Sequence, residues 1–512
     1  MRKRTLITWL QFTAVWLLFH WYAGSFNHLS DAPRGVHQGA QCDRASIALN
    51  YYHNNLNFLY PEVHENRCKD GIVSCELPLS NYLAAVLYTT FGFNEKWFRL
   101  ITFLFVSIGM FALFGLFRLY VKPITAYVLV FLLNASPILL FYTTNFLPDA
   151  TALGLVLAAW YLFFKQAVPH AYEPAFKSNK TAVLFAIILG LAIATKTTCG
   201  IQLLCMAGVL LLSFIKGLKI ELLNKKRMAF SLLGALVIPA LWQLWARHLG
   251  NLHNSEFFMM HVPLLNTMEE VKEAWQVYLG NWPSETFARP LHYFAISLLL
   301  LPLFLYKYIP KQLWWLNLLN TLGTLAFMAL MIKQFMYHDY YILCLLPLVV
   351  LNWLAIASAV TKLASKFWWV KVAAFIALLW ALKIQVHYGR QNMTDRYTPG
   401  NYWEQSQQNT AQYARFKKQL HNMGINRSQC VLVGYDGAPN NVLYLLDLQG
   451  RRINSDFSDE QVKDAIDKIQ ARYVISTDSS FTACVRPLFK EMIEVAAEGE
   501  LKAFKVADVS TR

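Results

Sequence analysis

Charged side chains are scarce in this sequence. Of its 512 residues only 15% are charged, whereas 56% are hydrophobic and 15% aromatic, which excludes an ordinary soluble protein. The sequence also contains no Walker-type glycine loop, no GxSxG, no CxxC and no HExxH. ATP-driven work, serine-hydrolase elbows, redox dithiols and zinc-protease chemistry therefore have no support. No internal repeat of the inverted type common in transporters is recognisable.

What the sequence does contain is a series of apolar segments long enough to cross a hydrocarbon core about 30 Å thick. Eleven spans are predicted, at 6–22, 98–117, 123–141, 149–164, 181–196, 200–215, 228–245, 291–306, 313–331, 340–359 and 370–387. The first is predicted to be uncleaved, because no small-residue cleavage site follows its charged start and apolar stretch.

The net charge of +15 by itself would fit a nucleic-acid-binding protein, but its distribution argues against one. With the MRKR start inside, the predicted inner loops hold 18 Lys and Arg residues, and the three short outer loops hold only Lys333. This asymmetry is the positive-inside pattern of a multi-pass membrane protein. It predicts a cytoplasmic N-terminus, and places the first long loop and the C-terminal part outside.

Three parts follow one another along the chain. Residues 1–98 are predicted to form the first span and an outer loop with interfacial helices, 98–387 a helical membrane bundle, and 388–512 a soluble outer domain. The predicted fold class is therefore an all-α polytopic membrane protein with a small C-terminal α/β domain.

Local patterns support these divisions. Interfacial helices are predicted at 43–55 and 79–92, buried strands at 430–436 and 471–476, and an amphipathic helix opened by a Ser/Asp cap at 458–470.

The eight cysteines include two pairs in the predicted outer regions. Cys68 and Cys75 share the first loop, and Cys430 and Cys484 share the C-terminal part. In an oxidising compartment either pair is a candidate disulfide, and free thiols are the alternative.

Three isolated acids lie next to ends of apolar segments. Asp43 stands in HQGAQCDRASIALN, Glu76 in GIVSCELPL and Asp149 in NFLPDA. An ionisable group at a membrane boundary costs roughly 2–4 kcal/mol, and such groups tend to mark function. Each acid alone also fits a helix cap. As a set on one side of the membrane they predict a catalytic cluster in which Asp43 orients, or takes a proton from, an acceptor hydroxyl or amine.

His37 and Gln41 precede Asp43 and are predicted to position this loop or the acceptor. Carboxylates with a nearby histidine also suit Mg, Mn or Zn, so Asp43, Glu76 and Asp149 are possible ligands of a divalent metal ion. No spacing demands a metal, and the sequence indicates no other cofactor.

Four basic side chains at predicted outer ends of spans complement the acids: Lys196, Arg289, Lys333 and His338. Lys196 lies inside the end of a span, where an unpaired cation is costly, so it is predicted to have an acid or a phosphate as partner.

The segment KQFMYHDYYILCLLPL (333–348) leads from a lysine, a histidine and tyrosines into an apolar span. This order is suited to a phosphate at the headgroup level with an apolar tail below it. Snorkelling of Lys333 and an aromatic belt formed by its tyrosines are the alternatives.

The loop before the first predicted interfacial helix carries a family motif. Its sequence resembles the H-x-W-R-Q-x-D motif of the GT-C superfamily of integral-membrane glycosyltransferases, in particular the bacterial family 39-type enzymes related to protein O-mannosyltransferases and the lipid A aminoarabinose transferase. His37, Gln41 and Asp43 are in step with the motif, whereas Gly39 and Ala40 replace its Trp and Arg.

Further segments follow in the family's order: NFLYPEV, GIVSCELPLSNYLAAVLYTTFG, NFLPDA, the KTT near 196 and YHDYYILCLLPL. The resemblance covers roughly residues 30–350. Where the aminoarabinose transferase has a lysine after the acid of the second motif, this chain has Leu77.

The resemblance implies a polyprenyl-phosphate-linked sugar as donor, a glycolipid, polysaccharide or protein acceptor, and inverting transfer on the outer face of a bacterial plasma membrane. It implies that Asp43 is the catalytic carboxylate, that Glu76 and Asp149 position the acceptor or a metal, and that Lys196, Lys333 and His338 face the donor phosphate.

A lipid or solute transporter is the alternative function, since it also needs many spans and buried charge. A membrane-anchored adaptor is a weaker alternative, because eleven spans exceed what anchoring requires.

Overall fold

The computed structural model describes residues 2–65, 70–169, 178–255, 267–398, 409–455, 457–469 and 471–509. The chain forms two compact units, each assembled from separate segments. The first unit comprises Met1–Leu29, Arg99–Leu244 and His261–Asp395, and the second comprises Ser30–Phe98, Trp245–Met260 and Arg396–Arg512. The boundaries predicted near 98 and 388 lie close to breaks between these units. The first loop and the C-terminal part belong to the same unit.

Most of the described chain is helical. The α-helices are α1 (Arg2–Tyr22), α2 (Gln38–His53), α3 (Leu79–Phe91), α4 (Lys96–Arg118), α5 (Pro123–Asn134), α6 (Pro137–Thr143), α7 (Pro148–Ala167), α8 (Asn179–Thr195), α9 (Gly200–Leu212), α10 (Lys225–Gly234), α11 (Val237–His253), α12 (Met268–Thr286), α13 (Arg289–Phe304), α14 (Lys311–Tyr337), α15 (Leu346–Ala364), α16 (Trp368–Asp395), α17 (Thr410–Asn422), α18 (Asn441–Leu446), α19 (Asp459–Ile469) and α20 (Ser479–Val485). Short 3₁₀ helices lie at Thr197–Cys199, Lys216–Leu218, Tyr306–Tyr308, Asp339–Leu345 and Arg486–Leu488.

Every predicted span falls on helix, and the chain is a multi-pass membrane protein. Within the described residues, six helices are long and apolar enough to cross a membrane, or up to eight if each of two bent helix pairs counts as one span. The six are Lys96–Arg118, Pro148–Ala167, Lys225–His253, Lys311–Met336, Asp339–Ala364 and Trp368–Asp395. The predicted count of eleven is not confirmed, because the apolar helices Asn179–Thr195 and Thr197–Leu212 are shorter than a full span.

The two bent pairs are α5 with α6, at 81°, and α12 with α13, at 100°. Pro137 begins α6, and the residue before it, Ser136, has the extended ψ of 127° that a following proline favours. Between α12 and α13 the extended backbone of Phe287 and Ala288 interrupts the helix.

Helices α4 and α7 of the first unit approach each other closely at two glycines. A Cβ placed on Gly154 would lie 2.1 Å from the carbonyl oxygen of Phe105, and one on Gly109 would lie 2.5 Å from the Cα of Gly154. Small residues at such crossings let helix backbones pack tightly within a membrane. This contact holds α7, the helix that carries Asp149, against α4.

The second unit contains a five-stranded sheet. Its strands are β1 (Cys430–Gly434), β2 (Gln449–Ile453), β3 (Tyr473–Ser476), β4 (Phe489–Glu498) and β5 (Leu501–Val509). The order is β2-β1-β3-β5-β4, in which β1 pairs parallel with β2 and β3, and β5 pairs antiparallel with β3 and β4. Apolar side chains from the strands and from α19 and α20 form its core, including Leu432, Ile453, Ile466, Val474, Phe481 and Phe504.

The predicted α/β character of the C-terminal part is confirmed, including the start of α19. There Ser458 Oγ accepts a hydrogen bond from the Gln461 backbone N–H, and the Gln461 side chain accepts one from the Ser458 N–H. This reciprocal arrangement is a capping box. The two predicted helices of the first loop are also present, as α2 and α3, and they pack around Ile47, Tyr51 and Val63.

Candidate active site

Asp43 lies in the second turn of α2 in the second unit. The helix begins at Gln38, so Asp43 does not cap it, and the capping alternative is wrong. Its Oδ1 accepts a hydrogen bond of 2.9 Å from the side-chain amide of Asn440. The two residues are 397 positions apart in the chain.

Asn440 stands in a loop that follows β1. Its side chain is fully buried, and its Oδ1 accepts a 2.8 Å hydrogen bond from the backbone N–H of Glu65. Asp436 shapes this loop, because its two carboxylate oxygens accept hydrogen bonds from the backbone N–H groups of Ala438, at 3.1 Å, and Val442, at 2.8 Å. The end of a sheet strand therefore presents a fixed amide to the first loop.

Burial makes Asp43 more basic than an ordinary aspartate. Loss of hydration raises the pKa of Asp43 to about 6, and the Asn440 hydrogen bond and the positive charge of Arg44 partly oppose the rise. Burial likewise raises the pKa of Asp436 to about 6 and that of Glu65 to about 7. Near neutral pH Asp43 is thus ionised and has a pKa suited to taking a proton.

Glu76 is ion-paired with the residue that follows Asp43. The Arg44 guanidinium donates from Nη2 to Glu76 Oε2 at 2.6 Å, and both side chains are mostly buried. Pro78 stands at the N-cap of α3 and Glu76 makes no cap there, so the capping alternative is wrong for Glu76 too. The structure therefore links the Asp43 and Glu76 segments through Arg44.

His37 and Gln41 belong to the turn that leads into α2. His37 has a left-handed backbone, with φ of 59°, directly before the helix. The fully buried Gln41 donates from Nε2 to the carbonyl oxygens of Arg34, at 2.8 Å, and Val36, at 2.9 Å. These bonds fit the loop-positioning part of the prediction for Gln41.

In the first unit, Lys196 and Asp149 form a buried ion pair. Lys196 Nζ lies 3.2 Å from Asp149 Oδ1, with side-chain exposures of 8% and 4%. Asp149 occupies the first turn of α7, and Lys196 follows the last residue of α8. The prediction that Lys196 has a partner is confirmed. The rings of Tyr340 and Tyr341 also lie beside its ammonium, with centroids 5.5 and 4.8 Å away.

This ion pair lines a small pocket. Its other walls are largely apolar and include Leu153, Val156 and Pro347. A charged pair beside an apolar lining suits a ligand with a polar head and a hydrocarbon part.

A further buried acid, Asp339, lies in the same segment as Tyr340. It is fully buried, and its Oδ1 accepts a hydrogen bond from the Tyr142 hydroxyl. The adjacent His338 ring stacks on Tyr340, with ring centroids 5.2 Å apart. The Tyr337 side chain lies outside the described part of the structure.

The remaining predicted cations are more accessible. Lys333 Nζ is paired with Glu270 Oε1 at 3.1 Å, and the two side chains are 28% and 33% exposed. Arg289 is exposed at the first residue of α13.

Asp43 and Glu76 belong to the second unit, whereas Asp149 and the four cations belong to the first. The convergence of the three acids in one cavity stays a prediction. Among the residues that the structure describes, no group of three or more His, Cys, Asp or Glu side chains is arranged to hold a metal ion. A divalent metal also stays a prediction.

Neither candidate disulfide pairing is present, and the alternative of thiols outside any disulfide holds for Cys75 and Cys484. These two cysteines form no disulfide, whereas Cys430 is disulfide-bonded. Cys75 is fully buried in the core that α2 and α3 share. Cys68 lies outside the described residues.

Comparison with known proteins identifies the fold. Residues 76–245 match the sequence family described as dolichyl-phosphate-mannose-protein mannosyltransferase. The structure is similar to ArnT from Cupriavidus metallidurans in the apo state, with 13% identity and a TM-score of 0.61 over 98% of each chain. It is similar to the same enzyme bound to undecaprenyl phosphate, with 15% identity and a TM-score of 0.59 over 97% of each chain.

A more distant likeness is to the archaeal oligosaccharyltransferase AglB from Archaeoglobus fulgidus in complex with an inhibitory peptide and a dolichol-phosphate. The identity is 11% and the TM-score 0.52, over 97% of this chain and 74% of that one. No curated protein sequence matches the chain. The protein therefore has the fold of the GT-C membrane glycosyltransferases, as its motifs predicted.

Sequence reasoning missed Arg44, Asn440 and Asp339. Arg44 directly follows Asp43, and Asp339 stands inside the tyrosine-rich segment 333–348. Both are therefore neighbours of residues that the sequence had already singled out. Asn440 had a weaker signal. It lies in GAPNN, a turn sequence after a buried parallel strand, and the carboxyl ends of such strands are frequent binding positions.

Proposed function

We propose that this protein is a membrane glycosyltransferase that moves a sugar from a polyprenyl-phosphate-linked donor to an acceptor on the outer face of a bacterial plasma membrane, with inversion at the anomeric carbon. The acceptor is a glycolipid, a polysaccharide or a protein. The likeness to ArnT over nearly the whole of both chains supports the proposal, as does the family match over residues 76–245.

The observation that carries the proposal is the setting of Asp43. A carboxylate that is oriented by an amide, and whose pKa burial raises to about 6, meets the requirements of a general base near neutral pH. Asp43 would remove the proton from an acceptor hydroxyl or amine as that atom attacks the anomeric carbon. The bond from that carbon to the phosphate oxygen breaks, and the phosphate leaves on its lipid with the electron pair.

Lys196 is our candidate for binding the donor phosphate. The Lys196 ammonium lies 3.2 Å from Asp149, and its N–H groups are donors of the kind that bind phosphate oxygens. A cation near the departing phosphate stabilises the charge that develops on it. The apolar lining of the adjacent pocket is compatible with a prenyl chain. Lys333, His338 and Arg289 remain further candidates for this task, and Glu76 for positioning the acceptor.

The outer-face assignment is supported by charge. The predicted inner loops hold 18 Lys and Arg residues against one in the short outer loops, an asymmetry that supports an outer Asp43 loop and a cytoplasmic N-terminus. A lipid-linked donor cannot leave the bilayer, so membrane lipids surround the enzyme and its donor alike.

The first test compares lipid-linked sugars and envelope glycans of wild-type and deletion strains by mass spectrometry. We expect one lipid-linked sugar to accumulate and one glycan to lose a residue, which names donor and product together. Unchanged pools would contradict a transferase.

The second test is Asp43→Asn in the full-length purified protein, with the exposed Glu460→Gln as control. Loss of the base should lower turnover roughly 10²- to 10⁴-fold without loss of polyprenyl-phosphate binding. Glu460→Gln should behave as wild type.

A transporter remains the second candidate, and the two sharply bent helix pairs favour it, because discontinuous helices are frequent in transporters. In that case Asp43→Asn would leave all glycans unchanged, and wild-type protein in vesicles would move lipid or solute without forming a new glycosidic bond.

A further inference from the structure

We propose that Asn440 is the positioning residue of Asp43, and that Gly39 leaves room on α2 for the loop of the C-terminal α/β part that carries Asn440. The inference rests on the proposed function and assigns the C-terminal part a task within it, the orientation of the general base.

The Asn440 amide is fixed at both ends. Its oxygen accepts from the Glu65 N–H at 2.8 Å, so its NH₂ group must be the end that faces Asp43 Oδ1, at 2.9 Å. Asn440 is fully buried and has no freedom to turn toward water. One carboxylate oxygen of Asp43 is thereby held, and the carboxylate plane is set for the other oxygen to receive a proton.

Gly39 lies one helical turn before Asp43 on α2. A Cβ placed there would lie 2.3 Å from the Cβ of Ala438, so no larger residue fits while the loop of Asn440 is seated. The family motif has a tryptophan at this position, which would occupy the same space. The departure at Gly39 thus coincides with the point where a loop of the C-terminal part packs on the helix of the base.

Other contacts fix the same docking. The Tyr444 hydroxyl donates to Glu95 Oε1 at 2.7 Å, and Arg427 donates from Nη2 to Asn50 Oδ1 at 2.7 Å. Glu65 also forms a backbone bridge with Gly450. The first loop and the C-terminal part are therefore held together on several sides of Asp43.

Four charged groups surround the Asp43–Asn440 pair. Arg44 on α2 and Arg452 on β2 favour the charged carboxylate, whereas Asp436 at the end of β1 and Glu65 disfavour it. Asn440 supplies the hydrogen bond that favours the ionised form. Its removal should therefore raise the pKa of Asp43 and move the acidic limb of the activity profile to higher pH.

The experiment compares Asn440→Ala and Asn440→Asp with Asn441→Ala in the full-length protein. Asn441 is the matched control, because it is the next residue, at the start of α18, and accepts a hydrogen bond from the Cys42 thiol at 3.3 Å, whereas Asn440 donates to Asp43. Asn440→Asp keeps the acceptor for the Glu65 N–H and replaces only the NH₂ group, so it addresses the risk that the alanine variant misfolds.

We expect Asn440→Ala to lower kcat roughly 3- to 10-fold with KM nearly unchanged, and to shift the acidic limb upward. Asn440→Asp should shift it further, because two carboxyl groups then face each other. Asn441→Ala should retain both the rate and the profile. Wild-type behaviour of both Asn440 variants, or an equal effect of Asn441→Ala, would overturn the inference.

A second readout does not depend on turnover. Carbodiimide labelling of Asp43 against pH, followed by mass spectrometry, should show a higher midpoint in Asn440→Ala than in wild type. An unchanged midpoint overturns the positioning role even where no transfer is detected. If the wild-type protein shows no transferase activity but Asn440→Ala still raises the labelling midpoint, the proposed function is contradicted and the Asp43–Asn440 contact is supported.

The packing of Ala438 against Gly39 is tested by exchanging the sizes of these two residues. Gly39→Ala should lower kcat and shift the profile as Asn440→Ala does, and adding Ala438→Gly should restore both, since the second change removes the clashing methyl group. Full activity of Gly39→Trp would show that activity does not require the Asn440 loop to pack on α2, and would overturn this part of the inference.

Discussion

Asp43 in the second unit and Asp149 in the first are held in opposite ways. Asp149 lies 3.2 Å from the ammonium of a buried lysine. Asp43 receives a neutral amide at 2.9 Å and keeps partial exposure. The Asp149 carboxylate is paired with a cation, whereas the Asp43 carboxylate is oriented by a neutral group.

The difference teaches which acid can work as a base. A full positive charge in contact with a carboxylate stabilises the ionised form strongly, whereas an amide mainly fixes its direction. Asp43 therefore fits proton transfer. Asp149 instead fits the pairing of the buried Lys196 ammonium, our candidate for binding the donor phosphate. The predictions below separate these two roles.

The largest effect is expected from Lys196→Met. It leaves Asp149 buried without its cation, which should cost about 3–5 kcal/mol of the free energy of unfolding. Thermal unfolding in detergent measures this loss. The double variant Lys196→Met with Asp149→Leu should recover most of it, because it removes both charges, and a double variant no more stable than the single one would contradict the ion-pair reading.

Arg44→Met provides the corresponding change within the second unit. It breaks the pair with Glu76 and should cost about 2 kcal/mol, as expected for a hydrogen bond between charged groups. It also removes a charge that favours ionised Asp43, so the acidic limb should move upward. A pH titration of activity checks the shift, and Glu76→Gln, which leaves Arg44 in place, is the control.

The wild-type pH profile should follow Asp43. Its pKa is raised to about 6, so the base is ionised above that pH and protonated below it. Activity should fall about tenfold for each pH unit below 6. Initial transfer rates between pH 5 and 8 test this, and equal rates at pH 5 and 7 would count against Asp43 as the base.

The smallest effect is expected from Lys333→Gln. Its pair with Glu270 is about one-third exposed, so the free energy of unfolding should change by at most about 1 kcal/mol. A large rise in the KM for donor would show that Lys333 binds the phosphate, whereas an unchanged KM would limit it to the ion pair. Glu270→Gln is the matched control.

Much of the fold was predictable because its signals are local. The spans were visible as apolar segments, and the start of α19 was visible as Ser458 followed by Gln461. In the sheet, the prediction found β1 and β3 but missed β2, β4 and β5. β2 and β4 are the edge strands of the order β2-β1-β3-β5-β4, and edge strands carry charges that interrupt an apolar run. β5 lies between β3 and β4, and Lys502 and Lys505 interrupt its apolar pattern in the same way.

The candidate site was predictable only in part. The acids were found because isolated carboxylates in an apolar sequence are conspicuous, and Lys196 was expected to have an acid or a phosphate as partner. Asn440 and Arg44, the partners of Asp43 and Glu76, were not found. The sequence left the state of the cysteines open for the same reason, since nearness in sequence does not show which thiols meet in the folded chain.

By itself the sequence determined the helical membrane class, the positions of the apolar segments and the identity of the acids, because hydrophobic length and capping depend on neighbouring residues. Only the tertiary structure decided that Asp43 contacts Asn440, 397 positions away, and that Asp149 contacts Lys196. Such contacts depend on how distant segments pack, and packing is set by the shape of the whole unit rather than by any local pattern.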